Sequence, residues 1–280
     1  MLESENAIGG HVAKVVNKDY VEALARGLDV IKAFSMTTPV MTSAQVAIKT
    51  GLARPTAHRL LLTLQSLGYV RNDPSGFSLT PRVIDLGMAY ISARGMWDIA
   101  KPHLEELAKI TDQCCSISQL DGADSVFVAG VTTPKVLAIT MSVGTRSPVR
   151  STSMGDVLLA DLTADELRHT LSMPSKSNMK ARFSRTDEEF AIILPEVRRL
   201  GYAISDQRLS YGIRALSVPI GDGRGRTVAT LNTPAHVAEV SVDQLRDHFL
   251  PLLLDAARKI GADWAKFNDL PTSCIAADED

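Results

Sequence analysis

The stretch GLARPTAHRLLLTLQSLGYV, Gly51 to Val70, decides how the first part of the chain is read. At 100° per residue Ala57, Leu60, Leu61, Leu64 and Leu67 gather in one arc, while His58, Arg59, Gln65 and Ser66 lie opposite. Pro55 suits the first helical position, and Gly68 marks the end. Arg54 stands where Ser, Thr or Asp ordinarily caps a helix. Leu62 falls inside the polar arc, where a solvated face prefers a charge; a thymine methyl or a dimer contact would each account for it.

The neighbourhood completes a pattern. Upstream, Leu24, Leu28, Ile31 and Phe34 recur at helical spacing between Val21 and Phe34. A short helix over SAQVAIKT follows, with Thr42 or Ser43 as its N-cap and Gly51 where helices commonly stop. Downstream, Tyr69–Arg71 and Phe77–Leu79 are β-prone runs flanking Asn72-Asp-Pro-Ser-Gly76, a hairpin with turn chemistry in its loop. Helix, short turn, helix and hairpin is the layout of a winged helix-turn-helix. From Thr42 to Arg82 five basic residues face Asp73 alone, whereas the chain after Arg94 carries 20 basic and 25 acidic residues. A basic segment on a mildly acidic body points to a polyanion partner. The expected DNA contacts are Arg54, Pro55, Thr56, His58 and Arg59 at the tip of the third helix, Thr42, Ser43 and Gln45 at the start of the second, and Arg71 on the wing.

Arg82–Ala93 reads as a further helix broken by Gly95, and a long helix, Asp98–Thr111, follows as a candidate connector. Beyond it strands and helices mix. CSISQL (115–120), DSVFVAG (124–130), VLAITM (136–141), YAIS (202–205), IRALSVPI (213–220) and RTVATLNT (226–233) read as strands. Gly155–Ala160, Ala164–Leu171, Asp187–Leu200 and a long final helix, Val242–Trp264, read as helices. Antiparallel strands with helices around them make an α+β domain.

Composition bounds the rest. The 280 residues suit one large domain or two of ordinary size, with 45% hydrophobic and 22% charged residues. No apolar run approaches the roughly 18 residues of a membrane span, and the first residues lack a secretory pattern. Cys114, Cys115 and Cys274 form no metal-binding spacing and read as reduced thiols of a cytoplasmic protein, with no metal and no cofactor. STSMGD lacks the first glycine of G-x-S-x-G, His103-Leu-Glu-Glu is not HExxH, GDGRGRT lacks GK[ST], and His169 has no nucleophile partner at a recognisable spacing. No enzyme is expected.

The chain resembles the IclR family of bacterial transcriptional regulators from about Tyr20 to Trp264. The resemblance rests on ARGLDVIKAF, GLARPTAHRLLLTLQSLGYV, FSLTPRVIDLGMAYIS, the Ser-Met-Gly of STSMGDVLLA, and GIRALSVPI followed by VATLNT. LTPRVIDLGMAY, IAKPHLEELAKITDQCCSISQLDG and DQLRDHFLPLLLDAARKI are similar to the regulators of protocatechuate and β-ketoadipate catabolism. It implies a flexible tail (1–18), a winged helix-turn-helix (19–81), a linker helix (82–95), a GAF-like effector-binding domain (96–268) and a second tail (269–280). It also implies a homodimer or dimer of dimers on palindromic operator DNA, RNA polymerase as a partner if the protein activates, and a small organic or aromatic acid as effector. The alternative is a winged-helix protein-interaction module, or a small-molecule sensor without direct DNA binding.

For the effector, Ser153, Met154 and Gly155 sit at a helix start, where free N–H groups and the helix dipole favour an anion. Arg150 just upstream can pair with a carboxylate through two parallel hydrogen bonds, or can be a surface charge. Carried over by position, the resemblance also implies Ser205, Asp206, Ala215, Leu231 and Thr233, with Asn232 beside them and Tyr211 and Arg214 nearby. Asp206 can equally cap a turn, and Ala215 and Leu231 can be ordinary core.

Overall fold

The computed structural model describes residues 19–94, 96–135 and 142–268. Both expected tails, the helix break at Gly95, the strand expected over 136–141 and Cys274 lie outside them. The chain forms two compact units that divide between Tyr90 and Ile91.

In the first unit, α1 (Glu22–Lys32), α2 (Ser43–Thr50) and α3 (Arg54–Ser66) pack with a small sheet. That sheet is β1 (Val40–Met41), β2 (Val70–Asp73) and β3 (Gly76–Leu79) in the order β1-β3-β2. Thr42 caps α2 in a reciprocal box with Gln45. Gly51 ends α2 in the left-handed region at φ 67°. The apolar arc of α3 is buried through Ala57, Leu61 and Leu64, which join Val30, Val46, Val70 and Phe77 in one core. Leu67, grouped with that arc by periodicity, is instead 52% exposed.

Two local expectations are corrected. The wing turn is Pro74-Ser75 alone, because Asn72 pairs with Phe77 and Asp73 with Gly76. Gly76 makes this possible: at φ 134° it lies so close to β1 that a Cβ would sit 2.8 Å from the Met41 carbonyl oxygen. The cap of α3 is Ala53, without a side-chain hydrogen bond, so Arg54 and Pro55 occupy its first two positions.

The chain passes between the units through α4 (Val83–Arg94). α5 (Met96–Thr111), expected as a connector, is a core element of the second unit, burying Ala100, Leu104 and Leu107. Here β4 (Cys115–Asp121), β5 (Asp124–Val131), β6 (Arg146–Pro148), β7 (Ala203–Asp206), β8 (Ile213–Gly221) and β9 (Thr227–His236) form an antiparallel sheet ordered β6-β5-β4-β9-β8-β7. β6 was too short to read from its three residues.

Helices cover both faces of this sheet. On one, α5 and α10 (Leu250–Asn268) bury Ile117, Leu216, Val218 and Leu231. On the other lie α6 (Ser153–Ala160) and α8 (Asp187–Leu200), with Val149 and Ala203 between them. α7 (Ala164–Ser172) flanks this layer through Leu167 and Leu171. The final helix is not continuous. After α9 (Val242–Gln244) the chain widens into a π turn over Leu245–Phe249 before α10 begins. Pro251, which has no N–H to donate to the ladder, stands one residue beyond that turn, as the second residue of α10.

Candidate nucleic-acid interface and effector face

The first turn of α3 has three properties that favour an outside anion. Its cap residue supplies no side-chain acceptor, so early N–H groups are unsatisfied. It carries no acid to oppose the helix dipole, and neither α2 nor α3 contains an acidic residue. Arg54 and Arg59 are exposed and make no ion pair among the described residues. His58 is held between the two helices and the wing: Ser43 Oγ lies 3.0 Å from its Nδ1, and its ring meets Phe77 edge-on at 6.2 Å. The structure therefore brings Ser43, Arg54, Pro55 and His58 to one edge of the unit.

The other expected DNA contacts are placed differently. Gln45 spends its side-chain oxygen on the Thr42 backbone N–H at 2.8 Å. Arg71 donates to Ser78 Oγ at 2.9 Å and pairs with Asp73 at 3.2 Å, which offsets its charge on the wing. Thr56 and Arg59 line a groove of about 730 Å³ between α3 and α1, with Leu24, Leu28 and Leu60. Leu62 does not line that groove and is 45% exposed.

The second site is a buried polar face beneath α6. Thr152 caps α6 through Gly155 N at 3.1 Å. Gly155 is required by packing, since a Cβ would come within 2.0 Å of the Val149 carbonyl oxygen. This close approach presses the helix start onto the sheet. Ser153 Oγ then lies 2.9 Å from Ser217 Oγ, which donates to Asn232 Oδ1 at 3.0 Å, and Asn232 Nδ2 reaches Ser116 Oγ at 3.4 Å. Ser118 Oγ donates to Met154 Sδ at 3.2 Å. All six residues are buried. Register explains the row: Ser116 pairs with Asn232, and Asn232 with Ser217.

Strand alternation sorts the expected effector residues. Ser153, Met154, Gly155, Ser205, Ala215 and Asn232 belong to the α6 side. Leu231 and Thr233 point to the opposite side, Leu231 into the α5–α10 core and Thr233 against Cys115 Sγ at 3.4 Å. Asp206 and Arg214 also face away from Ser205 and pair with each other at 3.3 Å, with Arg214 Nη1 on the Val240 carbonyl. Tyr211 is 74% exposed beneath the Arg182 guanidinium. Arg150 is engaged by Asp187 at 2.7 Å and by the carbonyls of Arg185 and Leu171. It does not present its fork to a ligand on the polar face.

Ser116, Ser118, Ser217 and Thr230 were missed, although CSIS and TLN alternate polar with apolar residues. Arg185 and Arg208 were missed too. They converge on Asp156, and nothing local in the sequence signals that.

Among the described residues no group of three or more His, Cys, Asp or Glu can hold a metal. No helix there is long and apolar enough to cross a membrane. Burial pushes the Cys115 thiol up to about 11, against partial relief from Thr233 and Thr111, so it stays protonated near neutral pH.

The chain thus joins a winged helix-turn-helix with an acid-free third helix to a sheet unit with a buried polar face, the layout of a DNA-binding module attached to a second, candidate ligand-binding unit. Comparison with known proteins agrees. Residues 23–74 match the IclR helix-turn-helix domain, and residues 88–262 match the C-terminal part of the bacterial transcriptional regulator IclR. The chain belongs to the IclR family and is a DNA-binding transcriptional regulator. It is 36% identical over 246 residues to the Pca regulon regulatory protein of Pseudomonas putida, covering 86% of this chain and 84% of that one. It is 32% identical over 255 residues to the p-hydroxybenzoate hydroxylase transcriptional activator of Acinetobacter baylyi, covering 88% and 93%. A crystal structure of a Rhodococcus sp. RHA1 protein described as a transcriptional regulator superposes with a TM-score of 0.77 at 39% identity, over 89% of this chain and all of that one. An IclR homologue from Microbacterium hydrocarbonoxydans, complexed with 4-hydroxybenzoate, shares the fold at TM-score 0.74 and 22% identity, over 87% and 99%.

Proposed function

We propose that this protein controls an operon for the breakdown of aromatic acids, in the cytoplasm, in response to a small organic acid. The observation that carries the DNA half is the first turn of α3. It has no side-chain cap and no acid, and it carries Arg54, with Arg59 just behind, both without an ion-pair partner among the described residues. Phosphate oxygens meet that need, and the adjoining His58 and Ser43 supply donors for bases or backbone. The effector half is supported by the polar face beneath α6, and the aromatic-acid pathway by the likeness to the p-hydroxybenzoate hydroxylase transcriptional activator. Binding as a homodimer or dimer of dimers to a palindromic operator belongs to the same reading, in keeping with a unit that carries one recognition helix and so suits one half-site. Contact with RNA polymerase belongs to the same reading if the output is activation.

A gel shift with promoter DNA from the gene's own neighbourhood tests the first half. Affinity should fall steeply with rising salt. Unchanged affinity after joint replacement of Arg54 and Arg59 by alanine would remove the assignment. Thermal shift with β-ketoadipate, protocatechuate, 4-hydroxybenzoate and muconate tests the second half, because a ligand of the native state raises the melting temperature. The absence of any shift would end the acid-effector reading.

A further inference from the structure

Asp156 is the one acid of α6 and is fully buried. Two guanidinium groups converge on it from different elements. Arg208, in the β7–β8 connection, reaches Oδ1 through Nη1 at 3.3 Å and Oδ2 through Nη2, while its Nε donates to Ser205 Oγ at 3.2 Å. Arg185, just before α8, donates its Nε to Asp156 Oδ1 at 3.2 Å. Its backbone is fixed at both ends of the residue. The Arg185 N–H donates to the Arg150 carbonyl at 2.8 Å, and the Arg185 carbonyl accepts from Arg150 Nη1 at 3.0 Å.

The two arginines differ in what remains free. Every nitrogen of the Arg208 guanidinium is engaged. The two Nη groups of Arg185 make no hydrogen bond among the described residues, although its side chain is only 20% exposed. One carboxylate facing two guanidiniums leaves one positive charge uncompensated, and because the unpartnered Nη groups of Arg185 are not among the buried unsatisfied atoms they stay accessible to an anion from outside. The position suits a ligand on the polar face. Ser205 lies on the same side of β7 as Ala203, which pairs with Ser217 of the buried hydroxyl row.

We infer that Arg185 and Arg208 form the receptor for the effector's carboxylate. This rests on the reading that the second unit binds an organic acid. The two Nη donors of Arg185 take the carboxylate through parallel hydrogen bonds. Arg208, clamped by Asp156 and Ser205, adds positive field. Asp156 is a positioning residue that aims both guanidiniums. The ligand class is a carboxylate whose body lies toward Ser217 and Asn232; its neutral amide lacks the charge that Arg185 requires. Arg150 offers the ligand no donor, because Asp187 and the carbonyls of Leu171 and Arg185 already occupy it; its part is limited to holding the Arg185 backbone.

The test uses the full chain with protocatechuate, 4-hydroxybenzoate, β-ketoadipate and muconate as probes, followed by calorimetric titration. For the acid that binds, Arg185→Gln should weaken binding by roughly thirtyfold or more, and Arg150→Gln by less than about threefold. Arg185→Gln should also bind the acid and its primary amide equally. If Arg185→Gln lowers the melting temperature of the ligand-free protein, Arg185→Lys keeps the charge beside Asp156 and removes the fork. It should weaken the acid about tenfold. Undiminished acid affinity in a folded Arg185 variant overturns this inference alone. If the wild-type chain binds none of the acids, the effector reading fails, and this inference with it.

Discussion

Two helices of this protein start in opposite ways. α3 begins at the surface behind Ala53, which offers no side-chain acceptor, and puts Arg54 into its first turn. α6 begins in the interior behind Thr152, which does offer one, and carries Asp156 in its first turn. The backbone dipole is the same in both. What differs is the source of the negative charge. At α6 the chain supplies its own, and Asp156 is then shared with Arg185 and Arg208. At α3 no acid is present in that helix or in α2. A buried helix start that carries its own acid leaves only the surplus charge of its two arginines for a small ligand, whereas one left without an acid at the surface can take an extended polyanion.

The largest expected effect lies on the buried side. Asp156→Ala leaves two guanidiniums unpaired beneath α6 and should lower unfolding stability by about 3–5 kcal/mol in urea titration. A loss below about 1 kcal/mol would mean that the arginines are compensated elsewhere, and the contrast with α3 would weaken. On the exposed side, Arg54→Ala with Arg59→Ala should leave the melting temperature nearly unchanged. DNA affinity should fall at least tenfold, and the slope of log affinity against log salt should become shallower by about two. An unchanged slope would show that neither arginine meets phosphate.

The caps allow a finer comparison. Thr152→Ala should cost about 1 kcal/mol of stability, and Ala53→Ser, which gives α3 the acceptor it lacks, should add a similar amount. If Ala53→Ser also weakens DNA binding, the unsatisfied N–H groups of α3 themselves touch the backbone of the operator. The smallest effect concerns Cys115. With its thiol held near 11, the group is neutral below that pH, so iodoacetamide at pH 8 should leave it unmodified in the folded protein and alkylate it after unfolding, as read by peptide mass mapping.

Much of the first unit was legible because its signals are local. The Leu61–Leu64 stripe, the N-cap at Thr42 or Ser43, which the structure gives to Thr42, and Gly51 each act within one or two helical turns; the part Gln45 plays in the Thr42 box was not read. Placing Arg54 in the cap position was wrong by one residue, since an alanine cap leaves no mark in a sequence. The wing turn was read as five residues, when Gly76 shortens it to two by its approach to β1, a contact across the sheet.

The polar face was only half legible. Ser153, Ser205 and Asn232 were found by resemblance, but Leu231 and Thr233 were taken with them. A one-residue offset along a strand exchanges the two sides of a sheet, and here both sides are buried. Hydrophobicity alone does not say which alternate set meets α6. The cross-strand register does, by joining Ser116, Asn232 and Ser217 in one row.

By itself, the sequence determined the order of elements, the two-part organisation expected of a regulator, and the basic, acid-free helix start proposed to meet DNA. These depend on periodicity, caps and charge along neighbouring residues, which a linear text records. Tertiary structure alone decided which arginines meet beneath α6. Asp156, Arg185 and Arg208 are separated by up to 52 positions and meet because Gly155 lets α6 sit against the Val149 backbone. Arg150, the arginine that chain proximity favoured, is turned to Asp187 instead. Charges at such separations find each other only after the chain has packed, because the packing brings them within hydrogen-bond reach and removes the water that would otherwise screen them.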